Sequence, residues 1–241
     1  MNILISNDDG IRSEGIQILA EFASTLGDVY VVAPNKQYSG ASQQIHLHCG
    51  FTAVPYDMPG VKAAWMLNGS PADCVQGGIR YILPVRPDIC FTGINLGYNA
   101  GFDAAYSGTV GAARESLIQG VPAMAFSGGG DLSVSFPLAK AFLPEIVKEL
   151  LNRPIQKNEL WNVNFPDRTE KDLKGIRWDV GIAPANMYRQ DFTMKTGQDG
   201  SIDLERDAYL IRDVSGLPEN SDVVLLKQGY ITAGKVASGI L

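Results

Sequence analysis

"NILISNDDGIRSEGIQILAEFASTLGDVYVVAP", residues 2–34, carries the pattern on which the fold turns. "NILIS" is a short apolar run of the kind buried in a sheet. From Gly15 to Leu26 the apolar residues Ile16, Leu19, Phe22, Ala23 and Leu26 fall at helical spacing, and Gly27 ends the run. "VYVVAP" is a second buried strand, stopped by Pro34. Strand, helix and strand in this order form a βαβ unit, whose crossover makes the two strands parallel and buries both faces of the sheet.

The same alternation continues outward. A long polar loop, "NKQYSGASQQ" (35–44), leaves the second strand, residues 46–59 read as local strands, and "AAWMLN" (63–68) as another. Ser70, Pro71 and Asp73 form a helix entry, with Val75, Ile79 and Ile82 as its apolar face. "PDICFTG" (87–93) is a strand that runs into the Gly- and Asn-rich "GINLGYNAG" (93–101). "YSGTVGAARESLIQG" (106–120) is a helix starting at Ser107 or Thr109, "PAMAFSGGG" (122–130) repeats strand-then-glycine, and residues 137–151 read as a further helix. The repetition predicts an α/β fold: a three-layer, Rossmann-like, doubly wound and mostly parallel sheet. After Asn152 the character changes. "LWNVNFP" (160–166), "YLI" (209–211) and "DVVLLKQGYIT" (222–232) are strand-like pieces in polar loops, so a β-rich elaboration over residues 152–241 is expected beside a core over residues 1–151 that carries the site, or integrated with it.

Composition sets limits on function. A net charge of −6 without any basic run argues against a nucleic-acid polymer as partner, because a phosphate-binding face needs clustered Lys and Arg. No stretch is long enough to span a membrane, and Met1 leads straight into a strand rather than a signal peptide. Cys49, Cys74 and Cys90 are odd in number and lack CxxC spacing, which points to reduced, buried thiols in a cytoplasmic protein and away from a disulfide framework or a zinc site.

In a doubly wound sheet the ligand crevice lies outside the carboxyl ends of the strands. The residues there form a set: Asp8 and Asp9 after the first strand, Ser39 and Gly40 after the second, Asn95 and Asn99 after the central one, and Ser127 with three glycines after another. Two adjacent carboxylates repel and need a proton or a cation beside them. Carboxylates, a hydroxyl and an amide carbonyl are all oxygen ligands, which suits Mg²⁺ or Mn²⁺. A single acid at this place is better explained as a helix cap or an Asx-turn. A pair after an apolar strand, facing polar loops from other strands, favours a metal. Ser107, Gly108 and Thr109 offer a helix N-terminus suited to a phosphate oxygen; alone, "SGT" is a plain N-cap, but the loop before it brings Asn95 and Asn99. Tyr98, Phe102 and Tyr106 are aromatics that either stack a base or pack the core. His46 and His48 alternate as along a strand and read as a surface or packing feature.

Other familiar sites are set aside. The first strand is not followed by GxGxxG, and no GxxxxGK[ST] or GxSxG occurs. A phosphoacceptor receiver domain needs an Asp at the end of a central strand, where "CFTGIN" has none.

"ILISNDDG", "VVAPNKQYSGAS", "GSPADCV", "PDICFTGINLGYNAG" and "YSGTVGAA", in this order and over nearly the whole chain, resemble the SurE (survival protein E) metal-dependent nucleotidases. The resemblance implies one divalent ion held by Asp8, Asp9, Ser39 and Asn95, a Rossmann-like core, a C-terminal portion exchanged between subunits of a homodimer or homotetramer, and a cytoplasmic location. Tyr38, Gln43 and Phe102 depart from residues common in the family, which leaves the metal set intact and bears on substrate preference. The expected activity is hydrolysis of nucleoside 5′-monophosphates, with 3′-monophosphates as further substrates. Asp8, Asp9 and Asn95 carry the chemistry, and Gly40, Asn99, Ser107, Gly108 and Thr109 the phosphate. The alternatives are a polyphosphate or sugar-phosphate phosphatase and a non-catalytic nucleotide or phosphate sensor.

Overall fold

The computed structural model describes residues 1–211 and 213–239. In chain order the elements are β1 (Asn2–Ser6), α1 (Glu14–Ala23), β2 (Asp28–Pro34), β3 (Ala53–Tyr56), β4 (Ala63–Leu67), α2 (Pro71–Gly77), β5 (Ile89–Asn95), α3 (Gly108–Ile118), β6 (Ala123–Gly128), α4 (Leu132–Asn152), β7 (Glu159–Phe165), β8 (Ile176–Val180), β9 (Tyr188–Thr196), β10 (Ile202–Leu210), α5 (Asp222–Gln228) and β11 (Ile231–Ala237). Nine strands form one sheet in the order β3-β4-β2-β1-β5-β6-β7-β11-β8, and β9 and β10 form a separate antiparallel hairpin. Within the large sheet only β3 against β4 and β7 against β11 run antiparallel. Residues beyond 152 therefore supply three of its nine strands as well as the hairpin.

The pleat sorts the strands' side chains between two cores. Ile3, Ile5, Phe91 and Phe126 face α1 and α4; Leu4, Cys90, Ala123 and Ala125 face α2 and α3. These near-continuous apolar strands are the signature of a sheet covered on both faces, and the doubly wound expectation stands. Among the described residues no helix is long and apolar enough to cross a membrane.

Four local expectations are corrected. "DVVLLKQ" is the helix α5 rather than a strand: Asp222 lies in its first turn and Gly229 ends it with φ 95°, a left-handed cap that favours glycine. Four consecutive apolar residues do not distinguish helix from strand by period. The helix expected from Pro137 begins at Leu132, where the Asp131 side chain accepts from Ser133 N, so Pro137 lies inside it. Of the expected apolar face only Val75 is on α2; Ile79 and Ile82 lie in the wider π-type turn over Gly78–Ile82 into which it passes. His46 and His48 lie in coil, not in a strand.

Candidate metal centre

The acid pair sits where β1 ends, at the carboxyl edge of the sheet. Asp8 is 3% exposed, and Asp9 is half-buried beside it. Asn7 forms the turn that follows: its Oδ1 accepts from Gly10 N at 3.1 Å and its Nδ2 donates to Ser13 Oγ at 2.8 Å. Gly10 has φ 93°, a conformation open to glycine, so the chain reverses directly beside the acids.

Each carboxylate is oriented from a different part of the chain. Thr109 Oγ1 donates to Asp8 Oδ1 across 101 residues of sequence. Leu96 N donates to Asp9 Oδ2 at 3.0 Å, and Gln37 Nε2 to Asp9 Oδ1 at 3.2 Å. Tyr38 N donates to the Asp8 backbone oxygen at 2.7 Å, which brings the exposed Ser39–Gly40 turn to the acid pair. Asn95, 9% exposed, donates from Nδ2 to Gly97 O at 2.8 Å, so its Oδ1 points the other way along the amide.

Burial pushes the Asp8 carboxyl up to about 6, opposed by the Thr109 hydrogen bond and reinforced by the Asp9 charge. Burial also raises Asp9, with the Leu96 and Gln37 hydrogen bonds opposing it. Among the described residues neither acid has an ion-pair partner. Two desolvated carboxylates without a cation are poorly compensated, and a divalent ion fits that deficit. No group of three His, Cys, Asp or Glu side chains lies close enough to hold a metal among the described residues. A mixed set of carboxylate, hydroxyl and amide oxygens would fit a hard cation.

The "SGT" segment lies at the same place. Ser107 is the N-cap of α3, its Oγ accepting from Val110 N at 3.1 Å while its own hydrogen stays free to donate. Gly108 packs on Asp8 so closely that a Cβ there would lie 2.7 Å from Asp8 Cβ. The Thr109 hydroxyl is committed to Asp8. Asn99 is also committed: its Nδ2 donates to Ser127 Oγ at 2.8 Å, its N to Asn164 Oδ1 at 2.8 Å, and its carbonyl accepts from Asn162 and Asn164. The glycines after Ser127 do not form an open cradle, since Gly130 N and Asp131 N both donate to the Asp167 carboxylate.

Of the three aromatics, Tyr98 is 5% exposed and its OH accepts from Asp167 N, which removes it as a base platform. Phe102 and Tyr106 are 52% and 58% exposed on the segment leading into Ser107. Sequence reasoning missed Gln37, Leu96 and the orienting role of Thr109. It also missed Tyr188, whose OH accepts from Tyr98 N at 2.8 Å and lies beside Gly97. No local pattern marks Leu96, because its contribution is a backbone N–H.

The family model described as "Survival protein SurE" matches residues 3–186. The chain is similar to "5'-nucleotidase SurE" of Geobacter metallireducens, 40% identical over 243 aligned positions that cover 96% of this chain and 89% of that one. It is likewise similar to the proteins of that name from Protochlamydia amoebophila (39%, covering 95% and 87%) and Caldanaerobacter subterraneus subsp. tengcongensis (36%, covering 96% and 89%). Among solved structures, the SurE protein from Aquifex aeolicus superposes with a TM-score of 0.83 at 30% identity, covering all of this chain and 95% of that one.

Proposed function

The chain belongs to the SurE family, and on that premise we propose that it is a metal-dependent nucleotidase that hydrolyses nucleoside 5′-monophosphates, and 3′-monophosphates at the same phosphate site, to nucleoside and phosphate. The observation that carries this reading is the acid pair at the carboxyl edge of the sheet, Asp8 buried and Asp9 half-buried, neither with an ion-pair partner among the described residues, with the start of α3 packed onto it. One Mg²⁺ or Mn²⁺ is held by Asp8, Asp9, Ser39 and Asn95. When bound, such an ion supplies Lewis-acid polarisation of a phosphoryl oxygen and a lower pKa for an attacking water.

The chain's own groups do the rest. The Ser107 hydroxyl and the Gly108 amide receive phosphoryl oxygens at the positive end of α3. The Gly40 turn, with φ 73° and no side chain, lets backbone approach the substrate. Thr109, Gln37 and the Leu96 amide hold the carboxylates in place, and one of the two acids orients and deprotonates the attacking water. Asn99 acts through the loop it anchors. Phe102 and Tyr106 offer exposed rings on which a base stacks.

Phosphate release from a panel of nucleoside 5′- and 3′-monophosphates is expected with Mg²⁺ or Mn²⁺ and is expected to stop with a chelator. Stoichiometric nucleotide binding without turnover would instead make the site a sensor. Polyphosphate or a sugar phosphate turned over in preference to every nucleotide would reassign the substrate.

The β9–β10 hairpin supports self-association, and with it a role for the C-terminal portion apart from the 1–151 core. The register sets Met194 opposite Leu204 and Thr196 opposite Ile202, so Phe192, Met194, Ile202 and Leu204 share one face. All four are exposed, by 49% to 64%. A two-stranded ribbon is marginal alone, and a contiguous apolar face marks an interface. A homodimer or homotetramer covers it. Met194→Glu with Leu204→Glu is expected to lower the mass measured by light scattering; an unchanged mass would remove the hairpin from the interface. All three cysteines are free, Cys74 and Cys90 buried as expected but Cys49 exposed on the coil, and free thiols are consistent with a cytoplasmic setting.

A further inference from the structure

Two deeply buried carboxylates outside the acid pair have no part in the chemistry above: Asp73, in the first turn of α2, and Glu115, on α3, are 1% and 3% exposed. Both grip residues 35–52, the coil that carries Ser39 and Gly40 and contains neither helix nor strand. Asp73 Oδ1 accepts from His46 N at 3.1 Å, and Oδ2 accepts from Ser70 N at 2.8 Å and meets His46 Nδ1 at 2.5 Å. Since both Asp73 oxygens already accept from backbone N–H groups, Nδ1 is the imidazole nitrogen that carries the hydrogen and donates. Glu115 Oε2 accepts from Gln43 Nε2 at 3.1 Å, while Oε1 accepts from Gln76 Nε2 at 3.0 Å and Gln119 Nε2 at 2.6 Å. Just ahead of the two grips, Ser42 N donates to Tyr106 O at 2.9 Å and Ser42 Oγ to Ala105 O at 2.8 Å.

We propose that Asp73 acting on His46, and Glu115 acting on Gln43, are positioning pairs that hold the Ser39–Gly40 turn against the acid pair. The inference rests on the reading of Ser39 as a metal ligand. A coil without strand pairing gains nothing from a ladder to offset the entropy lost on ordering it, so its placement must come from individual hydrogen-bonded anchors. On the near side Tyr38 N and Gln37 Nε2 tie it to Asp8 and Asp9. On the far side the side-chain anchors fall at Ser42, Gln43, Gln44 and His46, and again where the coil ends, with Thr52 N donating to Asn68 Oδ1 at 2.7 Å; Gln44 O accepts from Ser70 Oγ at 2.5 Å and His46 closes on Asp73. Burial makes both grips stiff: an acid inside the protein loses most by giving up a partner. The grip also lies within reach of substrate chemistry, because Ser42 bonds the backbone of Ala105 and Tyr106, which lead into the Ser107 cap.

The test is Mn²⁺ binding to the full chain by calorimetry, beside turnover, in His46→Ala, His46→Asn and Gln43→Ala. An asparagine Nδ2 occupies nearly the place of the imidazole Nδ1 and can donate to the same Asp73 oxygen. His46→Ala is expected to weaken Mn²⁺ binding about 10-fold, within the range for groups that orient metal ligands, with His46→Asn restoring most of the loss and Gln43→Ala falling between. Circular dichroism checks that each variant is folded. Parent-like Mn²⁺ binding in His46→Ala, or equal losses in the alanine and asparagine variants, would overturn the positioning role. Asp8→Asn separates the two levels: if it also binds Mn²⁺ like the parent, the metal site itself is misplaced, whereas its loss beside a parent-like His46→Ala removes only the positioning pairs.

Discussion

Asp8→Asn is expected to abolish Mn²⁺-dependent phosphate release, by about 10³-fold or more, while making the metal-free protein more stable at pH 7. The first half follows from removing a charged ligand worth several kcal/mol to the transition state. The second follows from linkage. The Asp8 carboxyl is raised from 3.8 to about 6 in the fold, chiefly by burial, so the folded state holds its proton more tightly than the unfolded chain does. Stability from this group is therefore fully present below the unfolded value and is lost as pH rises toward the folded one. Above about pH 6 the ionised acid destabilises the metal-free fold by on the order of 2–3 kcal/mol. An amide does not ionise, yet its Oδ1 still accepts from Thr109. Urea melts in chelator should show the variant more stable at pH 7, with the difference closing near pH 4. Added Mn²⁺ should raise the melting temperature of the parent and not of the variant. Phosphate release near the parent rate in a folded variant would remove Asp8 from the centre.

Gly108→Ala is expected to cost about 10²-fold in kcat/KM, against the direction of helix propensity. At the first position of α3, alanine should gain under about 1 kcal/mol over glycine. The Cβ, however, would lie 2.7 Å from Asp8 Cβ and 2.9 Å from its Oδ2, so either the helix start or the carboxylate must move. A displacement of about 1 Å at a reacting centre costs about 10²-fold, and overpacking costs about 1–3 kcal/mol. Gly130→Ala is the comparison, since no atom lies within 4 Å of a Cβ there. It should leave both turnover and melting temperature near the parent. Parent-like kinetics in Gly108→Ala would mean that the contact between α3 and Asp8 does not set the geometry of the site.

The core was legible because its signals are local. β1, α1 and β2 follow from an apolar run, a helical period and two punctuating residues; the strand-end rule points to Asp8, Asp9, Ser39, Gly40, Asn95, Asn99 and Ser127, and helix punctuation to the Ser107 cap. Where a signal was short, it failed: the apolar run at Val223–Leu226 fits strand and helix alike, and only packing of α5 against β11 decided it. The helix read over residues 137–151 has its cap at Asp131, six residues before Pro137.

By itself the sequence determined the parallel sheet, the family and the identity of the oxygen-bearing residues at the strand ends, since each depends on neighbours in the chain. Only the tertiary structure decided which of these groups are free and which are already held. Thr109 is spent on Asp8, Asn99 on Ser127 and Asn164, and the amides after Ser127 on Asp167. It also showed that a coil of no regular structure is gripped by two buried acids far from it in sequence. The reason is the directionality of hydrogen bonds: a residue type states what a side chain can donate or accept, and only the packed chain decides which partner, tens of residues away, takes it.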